Sequence, residues 1–127
     1  MPLTRAFCIA SLLAATAAPA FAATYGPELQ GFEYPYPLQH FEFQSQGTSL
    51  QMGYMDVPAK GQANGRSVVL MHGKNFCGAT WEGTIKALSD EGYRVVAPDQ
   101  IGFCKSDKPA SYQFTFHQLA ANTHALL

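Results

Sequence analysis

Charged side chains are scarce in this chain of 127 residues. Lys and Arg number 8 against 9 Asp and Glu, which gives a net charge of −1 and a charged fraction of 13%. The few basic residues are scattered and form no stripe, so the sequence does not support a nucleic-acid partner. Glycine-rich phosphate loops of the dinucleotide or P-loop type are also missing. The sequence contains no internal repeat.

Metal-ligand patterns are lacking as well. His117 and His124 lie seven residues apart on one predicted helix, but no cysteine or carboxylate completes a ligand set with them. His40 falls on the polar face of a predicted strand, where a solvated side chain is the simpler interpretation. We therefore expect no metal and no other cofactor.

The first 22 residues have the features of a secretory signal peptide. Arg5 supplies a positive start, residues 6–18 form an apolar run, and the Ala-Phe-Ala triplet at residues 20–22 fits the cleavage rule. The run is shorter than the ~20 apolar residues that cross a bilayer, so an uncleaved anchor is the weaker alternative. We expect a periplasmic or secreted protein that makes no membrane contact after signal cleavage.

The next segments predict an irregular arm and an antiparallel hairpin. Residues 23–37 contain three prolines among glycine and aromatic residues, a composition typical of an arm on a domain surface. Residues 38–46 and 50–55 alternate apolar and polar side chains, with Phe41 and Phe43 on one face, and a turn is expected at Gly47 and Thr48.

A strand, a helix and a second strand are expected after the hairpin. Residues 67–72 contain four consecutive apolar residues, which predicts a central strand covered on both faces. Residues 80–91 have helical spacing and are followed by Gly92, a suitable left-handed C-cap. With an apolar strand at residues 93–97, this order predicts a βαβ unit with parallel strands. Thr115 and Gln118 match a capping box that opens another helix.

Two segments resemble the amino-terminal third of an α/β-hydrolase. VVLMHGKNF at residues 68–76 places a His-Gly pair directly after a strand, and YRVVAPDQIGFCKSDKP at residues 93–109 repeats that plan. Such segments are typical of the epoxide hydrolase, haloalkane dehalogenase, esterase and iminopeptidase-like branches. The resemblance implies an α/β fold with an antiparallel hairpin and two parallel strands. It also implies that residues 38–127 form part of such a domain.

The catalytic residues of the family are not found in this sequence. No Gly-x-Ser-x-Gly motif occurs, so the resemblance implies that nucleophile, acid and base lie beyond Leu127. Ser106 or Ser111 acting with His117 is a poor alternative, because neither serine lies at a sharp strand-to-helix turn. We expect the 127-residue chain alone to be inactive. The parent protein is expected to hydrolyse a small ester, amide or epoxide-like substrate, with a non-catalytic exported binding module as the alternative.

The resemblance also implies an oxyanion loop formed by His72, Gly73, Lys74 and Asn75. The backbone N–H of Lys74 would donate to the oxygen that becomes negative, a contact worth about 3 to 4 kcal/mol in comparable enzymes. His72 is expected to brace the loop. Gly73 would allow a sharp turn and a close approach to substrate. Asn75 is either a substrate ligand or, preferably, a turn residue whose side chain bonds its own backbone.

Phe76 and Trp81 are candidates for the mouth of the substrate pocket, with a core position as the alternative for Trp81. Asp99 ends a strand where similar hydrolases keep an acidic residue that organises the following loop, and it is not the triad acid.

Cys77 and Cys104 are candidates for a disulfide. Export implies an oxidising compartment, and the resembled fold places the loops that hold these two cysteines side by side. Cys104 also stands where the resembled pattern usually has glycine. Two free, buried thiols are the alternative.

Overall fold

The computed structural model of the chain describes residues 24–127. The signal peptide predicted at residues 1–22, including Cys8, lies outside the described residues. Residues 24–37 form neither helix nor strand. The elements that follow are β1 Leu38–Ser45, β2 Thr48–Val57, β3 Ser67–Val69, a 3-10 helix Gly78–Trp81, α1 Glu82–Asp90, β4 Arg94–Pro98 and α2 Phe116–Leu126. No helix within residues 24–127 has the length and apolar character needed to cross a membrane.

The four strands form one mixed sheet in the order β1-β2-β4-β3. β1 pairs with β2 in the antiparallel sense, and β2 pairs with β4 in the same sense. β3 and β4 are parallel, with Val68 opposite Val95. The predicted α/β class, the antiparallel hairpin and the parallel strand pair are therefore confirmed.

The turn of the hairpin lies one residue earlier than predicted. Gln46 and Gly47 have φ values of 51° and 76°, the pair of positive values that a two-residue type I′ turn requires. Ser45 and Thr48 are then the last paired residues. The resulting register places Phe41 and Phe43 on one face with their rings stacked, 5.3 Å apart.

Apolar side chains cover both faces of the sheet. One cluster, on the face that α1 covers, contains Met55, Val57, Ile85, Val95 and Ala97. The cluster on the other face contains Leu50, Met52 and Ile101, with Leu126 of α2 packed against it. Because burial of apolar area is the main favourable term in folding, β4, whose Val95, Val96 and Ala97 are all buried, is the central element of this core.

β3 differs from the prediction in extent. The strand ends at Val69 instead of residue 72, although the N–H of Leu70 still donates to the carbonyl oxygen of Val96 at 2.8 Å. Among the described residues β3 has one strand neighbour, β4, and it lies at the edge of the sheet. Val68 and Val69 are therefore half-buried. The prediction of a central strand refers to a sheet with a further strand beside β3, and it stays a prediction, because among the described residues only β4 pairs with β3.

The first helical segment divides into the 3-10 helix and α1. Gly92 ends α1 as predicted, with φ of 84°. A Cβ at this position would lie 2.6 Å from the carbonyl oxygen of Gln62, so both the backbone conformation and the space require glycine.

The second helix, α2, begins after Thr115 as predicted. Thr115 Oγ1 accepts the N–H of Gln118 at 3.1 Å. The side chain of Gln118 does not return to Thr115, because it donates to Asn122 Oδ1 at 3.0 Å. Half of the predicted capping box therefore forms.

Candidate functional site

Two loops leave the sheet at the carboxyl ends of the parallel strands β3 and β4. Residues 72–76, which we call the HG loop, follow β3, and residues 99–107, which we call the anchor loop, follow β4. In open α/β sheets, ligands bind in the crevice beyond this edge. The two segments that the sequence analysis singled out therefore lie where such a fold places its chemistry.

His72 ties the start of the HG loop to the anchor loop. Its Nε2 accepts the backbone N–H of Gln100 at 2.8 Å, and its Nδ1 lies 2.9 Å from the carbonyl oxygen of Gly73. Because Nε2 accepts, the hydrogen of the neutral ring must be on Nδ1, which then donates to Gly73. The ring also meets Phe103 edge-on, with centroids 5.2 Å apart. Both ring nitrogens are used for bracing, and neither remains free to act as a base.

Asp99 of the anchor loop binds the chain just after the HG loop, at Gly78. The residue is 1% exposed. Its Oδ1 accepts the N–H of Gly78 at 2.7 Å, and its Oδ2 accepts the N–H of Lys105 at 3.0 Å and the hydroxyl of Tyr34. Within residues 24–127, Asp99 takes part in no ion pair, so its buried carboxylate is satisfied by donated hydrogen bonds. The prediction that Asp99 organises the following loop is confirmed.

Two consecutive residues, Asp99 and Gln100, thus hold the chain on either side of the open part of the HG loop, at Gly78 and at His72. The contact at Gly78 depends on the absence of a side chain. A Cβ there would lie 3.0 Å from the carbonyl oxygen of Ala97 and 3.3 Å from Asp99 Oδ1. Any larger residue would push the backbone N–H of residue 78 away from the carboxylate.

A disulfide joins Cys77 to Cys104 in the structure, with the Cα atoms 5.8 Å apart. The backbone of Cys104 has φ of 44°, a left-handed conformation that glycine adopts without steric cost. This conformation is a physical reason for the glycine that is usual at this place in the resembled pattern. The bond links the residue after the HG loop to the anchor loop 27 residues later.

One group of metal-ligating side chains comes together within residues 24–127, and it consists of Cys77, Asp99 and Cys104. Both sulfur atoms are used in the disulfide. The carboxylate already accepts three hydrogen bonds. This group therefore offers no free ligand atoms in the form that the structure shows.

The middle of the HG loop is open to solvent. Gly73, Lys74 and Asn75 are exposed, and Phe76 is 58% exposed. The N–H of Phe76 donates to the carbonyl oxygen of Gly73 at 3.1 Å and closes a tight turn. In the part of the chain that the structure describes, the N–H of Lys74 has no hydrogen-bond acceptor. It is therefore available to a ligand.

Two expectations for this loop need correction. Asn75 lies in a turn, as preferred, but its side chain bonds neither its own backbone nor another group among residues 24–127; backbone groups close the turn instead. Gly73 has no left-handed φ, and the nearest atom to a Cβ there would be in the Phe76 ring at 3.5 Å. A sharp backbone turn therefore does not require glycine at position 73.

The two candidate pocket residues lie in different surroundings. Trp81 packs against the cluster around Ile85, which matches the core alternative, and its indole Nε1 is buried without an acceptor among the described residues. Phe76 projects from the HG loop. Two cavities of about 410 and 420 Å³ lie along the arm, and residues 72–76 line neither of them.

Ser106 and Ser111, the poor alternative nucleophiles, have structural or peripheral positions. Ser106 is fully buried, and its Oγ donates to the carbonyl oxygen of Asp99 at 2.6 Å and accepts the N–H of Gly53 at 2.9 Å. Ser111 and His117 are exposed. The structure shows no hydrogen bond between either serine and His117 within residues 24–127, so no nucleophile and base are paired there.

Three contributors to this site were missed by the sequence analysis: Tyr34, Gly78 and Gln100. The segment PDQ marked Asp99 and could have drawn attention to its neighbour Gln100. No local pattern distinguishes Tyr34 from the other aromatic residues of the arm, because its partner lies 65 residues away.

A mixed sheet with this strand order, with parallel β3 and β4 and a helix between them, is the architecture of an α/β-hydrolase. A family model described as "alpha/beta hydrolase fold" matches residues 66–127. The chain belongs to the α/β-hydrolase superfamily.

Three proteins of this superfamily are similar to the chain in sequence or structure. A solved structure from Pseudomonas aeruginosa PAO1, described as "a probable hydrolytic enzyme", is 63% identical with a TM-score of 0.78, covering 80% of this chain and 32% of its own. A haloalkane dehalogenase from Mycobacterium marinum is 38% identical over 66% of this chain and 29% of its own length. Epoxide hydrolase A from Mycobacterium tuberculosis is 37% identical over 53% of this chain and 21% of its own length. The chain spans about a third or less of the length of these relatives.

Proposed function

We propose that the protein containing this chain is an exported hydrolase that acts on a small ester, amide or epoxide-like substrate, and that residues 72–75 form its oxyanion loop. The observation that carries the proposal is the HG loop itself, which is fixed at both ends and open in the middle. The free N–H of Lys74 lies in this open part, beyond the carboxyl ends of β3 and β4. The names of the relatives, a haloalkane dehalogenase and an epoxide hydrolase, support a small electrophilic substrate.

The proposed role of Lys74 follows from charge development in the reaction. When a nucleophile adds to a carbonyl carbon, of the substrate or of a covalent ester intermediate, the carbonyl oxygen becomes negative. A backbone N–H that is already directed at this oxygen stabilises it without reorganisation. We assign the nucleophile, either Ser or Asp, together with the acid and the base, to residues beyond Leu127.

The loop assignment is tested by removing the N–H without removing the loop. In the full-length polypeptide, Lys74→Pro deletes the donor, whereas Lys74→Ala deletes only the side chain. With p-nitrophenyl acetate as the probe, we expect Lys74→Pro to lower kcat by about 10²-fold to 10³-fold and Lys74→Ala to change it little. Equal losses in the two variants would assign the effect to the side chain and contradict the proposal.

The reaction class is tested with a panel of p-nitrophenyl acetate, styrene oxide and 1-bromobutane. Turnover of at least one probe supports a hydrolase. Binding without turnover of any probe would instead favour the alternative, a non-catalytic exported binding module.

Export is part of the proposal and rests on the signal-peptide features of residues 1–22 and on the compartment that disulfides need. We expect the mature protein in the periplasmic or secreted fraction to begin at Ala23, as read by amino-terminal sequencing. Full-length protein that retains Met1 and remains in the cytoplasm would contradict this.

A further inference from the structure

The arm formed by residues 24–37 is bound to the same anchor loop that holds the HG loop. The hydroxyl of Tyr34 donates to Asp99 Oδ2. Lys105 Nζ donates to the carbonyl oxygen of Leu29 at 2.8 Å and lies 5.7 Å from the centre of the Tyr34 ring. Since the N–H of Lys105 also donates to Asp99, the arm and the buried carboxylate are connected by two routes.

The two carboxylate oxygens of Asp99 accept hydrogen bonds from different parts of the chain. Oδ1 accepts the N–H of Gly78, two residues after the HG loop, while Oδ2 accepts the hydroxyl of Tyr34 and the N–H of Lys105. Three donors on two oxygens fix the rotation of the carboxylate about its Cβ–Cγ bond. If the Tyr34 hydroxyl is removed, one acceptor position of a buried charge becomes unsatisfied. Lys105 then remains the one donor to Oδ2 among the described residues, so the rotation of the carboxylate is less restricted and Oδ1 can move away from Gly78.

The phenol of Tyr34 is suited to this role because it remains a donor. Burial raises the pKa of Tyr34, and the hydrogen bond to Asp99 and its negative charge raise that pKa further. A neutral phenol donates to the carboxylate without adding a second negative charge.

We propose that Tyr34 is a positioning residue for the HG loop, which it holds in place through Asp99 and Gly78. The inference builds on the proposed function, because the group that is positioned is the N–H of Lys74. The simpler interpretation, that Tyr34 only packs against the core cluster beside Ile85, makes a different prediction. A phenylalanine would pack equally well, so the simpler interpretation predicts no local change when only the hydroxyl is removed.

The test compares Tyr34→Phe with Tyr36→Phe in the full-length polypeptide. Tyr36 is the matched control because it packs against the same cluster, while its hydroxyl donates to no acceptor within residues 24–127. Amide hydrogen exchange is followed at Gly78 and residues 73–77, with the amides of β4 as the internal reference. We expect Tyr34→Phe to accelerate exchange at Gly78 by about tenfold or more relative to β4, and Tyr36→Phe to leave it unchanged. Equal acceleration at Gly78 and β4, or none, would overturn the inference.

A second variant decides the matter if Tyr34→Phe does not fold. Lys105→Met keeps the backbone donor to Asp99 but releases the arm from Lys105 Nζ. Selective acceleration at Gly78 in this variant supports positioning by the arm, and an unchanged rate opposes it.

Activity separates this inference from the proposed function. If wild-type protein turns over p-nitrophenyl acetate, we expect Tyr34→Phe to lower kcat by about tenfold with little change in KM. If wild-type protein shows no turnover, the proposed function fails, while the exchange measurement still decides whether Tyr34 positions the loop.

Discussion

The HG loop and the anchor loop occupy the same edge of the sheet but are built in opposite ways. The anchor loop contains the buried residues Asp99, Gln100, Ile101 and Ser106. It is bonded to β2 as well, since the N–H of Asp107 donates to Gln51 and that of Gly53 donates to Ser106 Oγ. The HG loop is exposed between its ends. The anchor loop is therefore part of the core, and the HG loop is held at the surface by contacts with the anchor loop.

The comparison shows how a loop can be exposed and still be well placed. Open loops usually have low local stability, because few buried contacts oppose their opening. Here a five-residue segment is fixed at its start by His72 and directly after its end by the disulfide at Cys77 and by Gly78. Precise placement of the middle then depends on groups outside the HG loop. Three predictions separate the contributions of these attachments.

Removal of the disulfide is expected to have the largest effect on stability. In the chain-entropy model, the covalent loop closed by Cys77 and Cys104, which are 27 positions apart in sequence, contributes about 3 to 4 kcal/mol. We expect the double variant Cys77→Ala, Cys104→Ala of the full-length polypeptide to lose about this free energy of unfolding in urea, and to be insensitive to reductant.

A matched variant tests the backbone contribution of Cys104. Cys77→Ala combined with Cys104→Gly lacks the same bond but relieves the left-handed conformation at position 104. It should be more stable than the double alanine variant by about 1 kcal/mol. Equal stability of wild-type and double alanine proteins would show that the disulfide does not support the fold.

Removal of the carboxylate charge of Asp99 is expected to have the next largest effect. In Asp99→Asn the amide nitrogen cannot accept, so at least one of the donors from Gly78, Lys105 and Tyr34 loses its partner. A buried donor without an acceptor costs about 1 to 3 kcal/mol, which we expect to see in the free energy of unfolding. Asp90→Asn is the control, because Asp90 pairs with Lys60 and Lys86 at the surface, and surface pairs contribute little. An equal loss in both variants would contradict the role of Asp99 as the anchor.

The sequence was sufficient for the parts of the fold that depend on local pattern. The alternation around Phe41 and Phe43 predicted the hairpin, and the order of strand, helix and strand predicted the parallel pair. Gly92 and Thr115 marked helix ends because capping uses residues that are adjacent in sequence. Asp99 was found through the resemblance of its segment to known hydrolases.

The features that the sequence did not predict depend on residues that are distant from one another in sequence. The hydroxyl of Tyr34 and the carboxylate of Asp99 are 65 residues apart, and no periodicity reports on such a pair. The position of β3 at the sheet edge also depends on which strands surround it. Apolar content alone cannot distinguish β3 from β4, since both are short runs of valine with apolar neighbours.

The smallest expected effect is a dependence of stability on alkaline pH. The pKa of Tyr34 is raised from its ordinary value of 10.0 by burial, followed by the hydrogen bond and the charge of Asp99. Above about pH 10 the unfolded chain releases the phenol proton while the folded protein retains it, so the stabilisation by this group is complete below pH 10 and is lost as the pH rises further. We expect the stability advantage of wild type over Tyr34→Phe to be constant from pH 7 to 9 and to shrink from about pH 10 upward.

Urea unfolding at each pH measures this advantage. The same comparison in a Lys105→Met background shows whether titration of the Lys105 ammonium group, which lies near the Tyr34 ring, causes the pH dependence. An advantage that stays constant through pH 11 would mean that the hydroxyl of Tyr34 does not depend on Asp99 in the folded protein.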